Sequence, residues 1–314
     1  MDFVGKRRWF FMLSAVIIIA GLISLAIPPA LHLGIDFTGG STISTKFKTP
    51  VSEIDVREKL NLLGHPEATI QQADNTDYFI RTSQLAGPDL QKGTPSEETL
   101  ILQALDLLGE RAGTEVELVA GVIANDTRNS AVIIVFLASI AILLFITYAF
   151  RSVPSPFRYG AAAIVALVHD LLIVIGIFSI LGKLIHLEVN TMFIIGLLFV
   201  IGYSVNDTIV VFDRIRENIA RAPGRPLEVT INNSILESLG RSLATSLTLL
   251  FTILALLLLG GESIREFLIV LLISVVSGTY SSICIASQFL IVWEKGEGRL
   301  FLRSLPFFPR KSES

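Results

Sequence analysis

The sequence predicts a polytopic α-helical membrane protein of six transmembrane helices, with a small α+β domain on the exported side between helices one and two. Three observations carry this. Hydrophobic residues make up 52% of the 314 and charged ones only 17%, and the mean hydropathy is +0.66, the balance of a chain with several membrane spans. Six segments are apolar over the roughly 20 residues needed to cross a bilayer. Between the first two lies a polar stretch, Pro28 to Asn129, whose patterning alternates between helix and strand periods.

The spans are expected at Trp9–Ile27, Ser130–Phe150, Tyr159–Leu181, Thr191–Phe212, Gly240–Leu259 and Phe267–Trp293. Lys6, Arg7 and Arg8 precede the first, and Ser24-Leu25-Ala26 faintly resembles a signal-peptidase site. The apolar run exceeds the roughly 7–15 residues of a signal core, so it reads as a retained anchor. Basic residues set the orientation. Lys6, Arg7 and Arg8, then Arg151 and Arg158, then Arg214, Arg216, Arg221 and Arg225, then Lys295, Arg299, Arg303, Arg310 and Lys311 all fall on one side of a six-span arrangement. The opposite short loops carry little beyond Lys183 and Arg265. Lys and Arg concentrate on cytoplasmic loops, so both termini are expected in the cytoplasm. The expected organisation is 1–28 for the N-terminus and first helix, 29–129 for the exported domain, 130–293 for helices two to six, and 294–314 for a basic cytoplasmic tail.

Within the exported stretch, Ser41–Phe47 alternates like a strand, and Val51–Leu63 reads as an amphipathic helix behind Pro50 with Ser52 and Asp55 as a capping pair. Ala68–Ala73 and Asp77–Thr82 read as strands joined at Asp74-Asn75. A second helix over Ser96–Arg111 opens after Thr94-Pro95 and ends at Gly113, and Thr114–Val122 is a final strand. This order, β-α-β-β-α-β, is that of a ferredoxin-like unit, a fold that hosts many functions and names none.

The most telling residues are charges inside spans. Asp207 sits in Ile201–Phe212, about six residues from the cytoplasmic end of its span, or roughly 9 Å deep at 1.5 Å per residue. A carboxylate there costs roughly 2.5–3.5 kcal/mol on insertion scales, so such residues usually face a bundle interior and serve ion, proton or substrate movement. A helix-end Asp reaching for water is the plain alternative. Arg241 enters the next span from the same side and is expected near the same depth, where the two would pair; an Arg near a helix end also snorkels to the interface. An Asp held between burial and a cation can change protonation when a helix moves.

The other polar candidates are less specific. His169 and Asp170, near the middle of the third span, read equally as a proton relay or a structural pair. Arg241, Thr245, Thr248 and Thr252 recur at helical spacing as one stripe, Ser274, Ser277, Gly278 and Ser281 as another, and Gly196, Tyr203 and Asp207 share a third face. Small and hydroxyl residues let membrane helices approach closely, so these stripes are expected to face one another among spans four to six, through packing alone or as a polar path. Asn206, Tyr203, Thr245 and Thr248 join His169 and Asp170 as the possible relay.

Enzyme chemistry finds no support. The chain has no HExxH zinc motif, and Phe37-Thr38-Gly39-Gly40-Ser41 lacks the Lys of a P-loop. Cys284 is the single cysteine, which rules out an internal disulfide and zinc-type cysteine spacing. No cofactor or metal is expected. A net charge of −3 gives no reason to expect a nucleic-acid partner. Any work must draw on an external gradient, and one charge moved through 100 mV supplies about 2.3 kcal/mol.

These residues together resemble the SecF branch of the SecD/SecF family of protein-export membrane proteins, relatives of the proton-driven RND transporters. The resemblance runs from the first span to the last. It rests on Gly34-Ile35-Asp36-Phe37-Thr38-Gly39-Gly40, on Gly202 to Thr208 running into Val210 to Asn218, on Asn233-Ser234-Ile235 with Arg241 and Thr245-Ser246-Leu247-Thr248, on Gly260-Gly261, and on Gly278-Thr279-Tyr280-Ser281-Ser282. It implies a location in the bacterial cytoplasmic membrane, partnership with SecD, association with the SecYEG channel and through it with SecA, and use of the proton gradient to help move exported polypeptide. It also matches Asp207 and Arg241 to membrane residues implicated in proton passage. Leu249 stands where many relatives carry another Thr, which narrows the polar stripe. Gly34, Asp36, Gly39 and Gly40 read as a structural turn that starts the first strand. A small-molecule exporter of the RND type and a static scaffold for SecD are the competing readings; a single small exported domain leaves the exporter little room for a substrate cavity.

Overall fold

A computed structural model of the chain describes residues 2–88, 95–119, 121–260 and 264–296. The Thr94 opening of the second domain helix, Gly261 and the tail from 297 onward lie outside these described residues. Two compact units form, one from Met1–His32 with Ile133–Ser314 and one from Leu33–Val132.

Helix α1 (Arg7–Ala26) is the first span. The smaller unit opens with a single helical turn, α2 (Ile35–Thr38), in which the Thr38 hydroxyl donates back to the Gly34 carbonyl at 3.1 Å. Gly39 and Gly40 then take φ of +72° and +136°. At Gly40 the requirement is double: a Cβ would also meet the Thr82 carbonyl oxygen at 2.7 Å. The glycine pair thus turns the chain directly into the first strand.

Strand β1 (Gly40–Phe47), α3 (Glu53–Leu62), β2 (Thr69–Asp74), β3 (Asp77–Thr82), α4 (Glu97–Asp106) and β4 (Arg111–Val119) follow. They build an antiparallel sheet of order β2-β3-β1-β4. Alternation puts Ile43 and Phe47 of β1 and Tyr78 and Ile80 of β3 inward, where Val56 and Leu60 of α3 and Ile101 and Leu105 of α4 cover them from i,i+4 positions. Ser52 caps α3 through the Ile54 amide at 3.3 Å, and Ser96 caps α4 through Thr99 at 3.2 Å. Two boundaries differ clearly from the sequence expectation: the last strand, expected at Thr114–Val122, runs Arg111–Val119 because Gly121 already begins the next helix, and the helix before it is shorter. The second helix ends at Asp106 instead of Arg111, because Arg111 pairs with Phe47 across the sheet and clasps Asp106 at 2.7 Å.

The remaining spans are α5 (Gly121–Ala149), α6 (Pro156–Ile185), α7 (Thr191–Arg221), α8 (Leu227–Leu259) and a last one made of α9 (Arg265–Ser281), a π-helical turn (Ser282–Ala286) and α10 (Ser287–Glu294). Among the described residues, six helices are long and apolar enough to cross a membrane. Several run past the expected spans; α8 begins at Leu227, thirteen residues before Gly240, since Pro226 suits a helix start and neither Gly nor Pro interrupts the run up to Gly240. Helices α6, α7 and the last span are the buried ones, while α1, α5 and α8 expose wide apolar faces. At the crossing of α1 and α6, a Cβ on Gly21 would stand 2.7 Å from the Gly176 Cα, so only glycine permits that approach.

Candidate functional site

Helix α7 buries Phe193, Gly196, Leu197, Val200, Ser204, Asp207, Thr208, Val211 and Ile215, a stripe at helical spacing. Asp207 falls on that stripe and is only 7% exposed. The helix period therefore turns a carboxylate into the bundle. Its Oδ1 accepts from the Ser242 hydroxyl at 2.6 Å. Its Oδ2 is buried and has no hydrogen-bond partner among the described residues.

Ser242 belongs to a row on α8, Ser234, Ser238, Ser242 and Ser246, every member of which is buried. Ser234, Ser238 and Ser246 each donate to the carbonyl four residues earlier at 2.7–2.9 Å. Ser242 is the exception and spends its proton on Asp207. Above it, Tyr203 Oη lies 2.8 Å from Ser246 Oγ, and Ser246 Oγ lies 2.6 Å from Thr279 Oγ1 on α9. Thr208 and Ser282 pair at 2.9 Å on the other side of Asp207. Hydroxyls from α7, α8 and α9 thus line the approach to the carboxylate.

The expected polar stripe of α8 lies elsewhere. Arg241, Thr245, Thr248 and Thr252 are all exposed, and Asn206 of α7 is exposed as well. The threonine hydroxyls close back on carbonyls of their own helix at 2.8–3.0 Å. No ion pair joins Arg241 to Asp207 among the described residues. The physical reason is a rotation of one residue, about 100° around the helix: Ser242 and Ser246 are smaller than Thr245 and Thr248 and let α8 sit closer to α7 and α9. Leu249, beside the threonines, packs into an apolar cluster with Ile253, Leu268 and Val275. The α9 stripe does face inward, with Ser274, Ser277, Gly278 and Ser281 all buried.

His169 and Asp170 form a second centre. Asp170 is fully buried. Its Oδ1 accepts from Ser277 at 2.6 Å and lies 3.0 Å from His169 Nδ1, while its Oδ2 accepts from Ser204 and Ser281, each at 2.6 Å. His169 Nε2 lies 2.9 Å from Ser14 Oγ of α1. Sequence reasoning did not assign Ser14, Ser204 or Ser242 to a site, because a serine hydroxyl in an apolar run carries little signal by itself. The four-residue recurrence of Ser234 to Ser246 was the one pattern that could have found Ser242.

The comparisons agree with this architecture. A family model for the protein export membrane protein SecD/SecF, C-terminal, matches residues 103–296, and one for the SecD/SecF GG motif matches 29–51. The chain belongs to the SecD/SecF family. It is 43% identical over 98% of its length to the protein translocase subunit SecF of Thermobaculum terrenum, covering 98% of that relative. Against the SecF subunit of Anaerolinea thermophila it is 40% identical, with 95% of this chain and 96% of the relative covered. Among solved structures it resembles SecDF of Thermus thermophilus, described as a translocon-associated membrane protein, with a TM-score of 0.76 and 31% identity over 94% of this chain. A second SecDF structure, in a super-membrane-facing form, gives a TM-score of 0.65 at 31% identity. The chain spans about two fifths of the solved SecDF chains, 39% and 40%. Family membership, close relatives named as translocase subunits and six apolar helices make this a multi-pass bacterial membrane protein of the protein-export class. The stretch matched by the GG-motif model, residues 29–51, includes the α2 turn with Gly34, Asp36 and Gly39 and the start of β1 at Gly40.

Proposed function

We propose that this chain is an accessory subunit of the Sec protein-export machinery which, together with SecD, uses the proton-motive force to promote translocation and release of polypeptide on the exported side. The supporting observation is the half-satisfied carboxylate of Asp207. Ser242 holds Oδ1, and Oδ2 takes or loses a proton without surrendering a hydrogen bond. A buried intramembrane carboxylate is a candidate for proton movement, and one with a free oxygen among hydroxyls can exchange a proton with little rearrangement. In this reading Asp207 is the proton carrier.

Arg241, Thr245 and Thr248 take part from the exposed face of α8, where a membrane carboxylate of SecD would complete the path. Movement of α7 and α8 on proton transfer is passed along the chain to the exported domain. The reading places both termini in the cytoplasm and the chain in the bacterial inner membrane, with SecYEG, SecA through the channel, and exported polypeptides as further partners.

The test is gradient-dependent release of an exported substrate from vesicles holding this chain with SecD, comparing wild type and Asp207→Asn at matched expression. Asn keeps an acceptor for Ser242 but cannot exchange a proton, so the gradient-dependent part should vanish while assembly persists. Unchanged release would leave the chain as a scaffold whose partner carries the chemistry.

A further inference from the structure

The hydrogen bonds that run from α1 to Asp170 fix where protons lie. The Phe10 carbonyl can only accept, so Tyr280 spends its phenolic proton there, at 2.7 Å. Ser14 Oγ, 3.2 Å from Tyr280 Oη, then spends its own proton on Tyr280. Left with lone pairs alone, Ser14 must accept from His169, so Nε2 carries a hydrogen across the 2.9 Å contact.

On the far side of the ring, Nδ1 lies 3.0 Å from Asp170 Oδ1. A carboxylate oxygen facing an unprotonated ring nitrogen would set lone pair against lone pair. One more proton must therefore sit between Nδ1 and Oδ1, whether as imidazolium with carboxylate or as imidazole with carboxylic acid. Ser204, Ser277 and Ser281 do not supply it, since Ser277 alone reaches Oδ1 and donates there, while Ser204 and Ser281 lie against Oδ2, Ser281 with the Gly278 carbonyl as a second acceptor at 3.1 Å. The pair is electrically neutral as a unit, which is what a wholly buried site inside a membrane tolerates.

We propose that His169 and Asp170 share one exchangeable proton, and that this proton latches α1 onto α6 and α9 through Ser14 and Tyr280. Loss of the proton to water leaves the ring with a single N–H. If that hydrogen stays on Nε2, the 3.0 Å contact to Asp170 must open. If it moves to Nδ1, Ser14 must turn its hydroxyl toward Nε2 and release Tyr280. Either way a contact between spans changes.

Farther along, the same α1–α6 seam is held by contacts that do not involve His169 or Asp170. Ser24 and Ser179 pair at 2.8 Å, Lys183 reaches Ser24, and Gly21 meets Gly176. The shared proton thus bears on one end of the seam and not on the other.

Other titratable groups lie on the packed elements. Helix α6 itself also carries Arg158, Tyr159 and Lys183, and α7 carries Tyr203 and, toward its end, Asp213, Arg214, Arg216, Glu217 and Arg221. Tyr280 of α9 stacks on the His169 ring with centroids 6.0 Å apart. Asp207 of α7 is tied to Ser242, and Cys284 lies in the π-helical turn. Helix α1 offers only Arg7 and Arg8 at its start, α9 only Arg265 and Glu266 at its start, and α10 only Glu294 at its end.

The biological use of the latch rests on the proton-coupled reading above, but its protonation is measured without transport. The full chain, labelled with 15N-histidine and held in lipid nanodiscs, carries four histidines, and His169→Gln assigns the signals of interest. At the acid end Nε2 should be protonated and Nδ1 in a strong hydrogen bond, with one titration step on raising the pH. Ser14→Ala, which leaves the Asp170 cluster intact, should move the midpoint by about 0.5 unit or more, and Asp207→Asn by less. An unprotonated Nε2 at the acid end, no titration between about pH 4 and 10, or a midpoint indifferent to Ser14→Ala would each overturn the latch. Loss of the release phenotype for Asp207→Asn tests the other reading and leaves this one standing.

Discussion

Asp170 and Asp207 are the same residue type, both buried in neighbouring spans, yet their surroundings differ in kind. Asp170 has four hydrogen-bond partners drawn from α6, α7 and α9. Asp207 has one, from α8. Donor count decides what a buried carboxyl group can do. Where every lone pair is engaged, a change of proton rearranges neighbours and moves helices. Where one oxygen is bare, a proton can come and go with little rearrangement. On the two readings proposed above, one bundle holds both a carrier and a latch.

The largest expected effect separates them by stability. Asp170→Ala strands three serine hydroxyls and the His169 ring in the interior, and should cost about 3–5 kcal/mol or prevent folded protein from accumulating. Thermal unfolding in nanodiscs measures it, beside Asp207→Asn, which should cost under about 1 kcal/mol because the amide oxygen still accepts from Ser242. Equal losses would break the contrast.

Single donors give a finer comparison. Ser242→Ala removes the one hydrogen-bond partner of Asp207 among the described residues and should cost about 1–3 kcal/mol with loss of gradient-driven release, whereas Ser277→Ala leaves Asp170 three partners and should cost about 1 kcal/mol or less. If the two variants match in both stability and release, donor count is not what distinguishes the sites.

The smallest effect comes from a carboxylate outside the bilayer that serves as reference. Glu67 is lowered to about 2 by its own backbone amide and by the Ser83 hydroxyl at 3.0 Å. A depressed carboxyl stabilises the fold above its unfolded value of 4.5 and loses that contribution as pH falls toward about 2. Ser83→Ala should bring the titration back up toward the ordinary value, read by carboxyl NMR. An unmoved titration would show that solvent already outweighs the hydroxyl at this exposed position.

Much of this was legible in the chain. Six apolar runs announced the spans, and the β-α-β-β-α-β order of the small unit followed from alternation, i,i+4 burial and capping serines. Asp207 stood out because a carboxylate amid Ile201 to Phe212 has an evident cost. The end of α4 was misjudged because Leu107 and Leu108 fit a helix as well as a turn, and only pairing of Arg111 with Phe47 claims the residues beyond for the sheet. The α8 polar row was assigned to Arg241 and the threonines, when the serines one step round the helix face the interior.

By itself the sequence determined that this is a six-span membrane protein with one small α+β unit, and which residues carry charge inside the bilayer. Hydrophobic length and period suffice for that, because both act along a single segment. Which hydroxyl reaches which carboxylate was decided only by tertiary structure. A helix presents a new residue every 100° or so, and the choice between Ser242 and Arg241 as neighbour of Asp207 depends on how closely three helices can pack, a property that no one of them possesses alone.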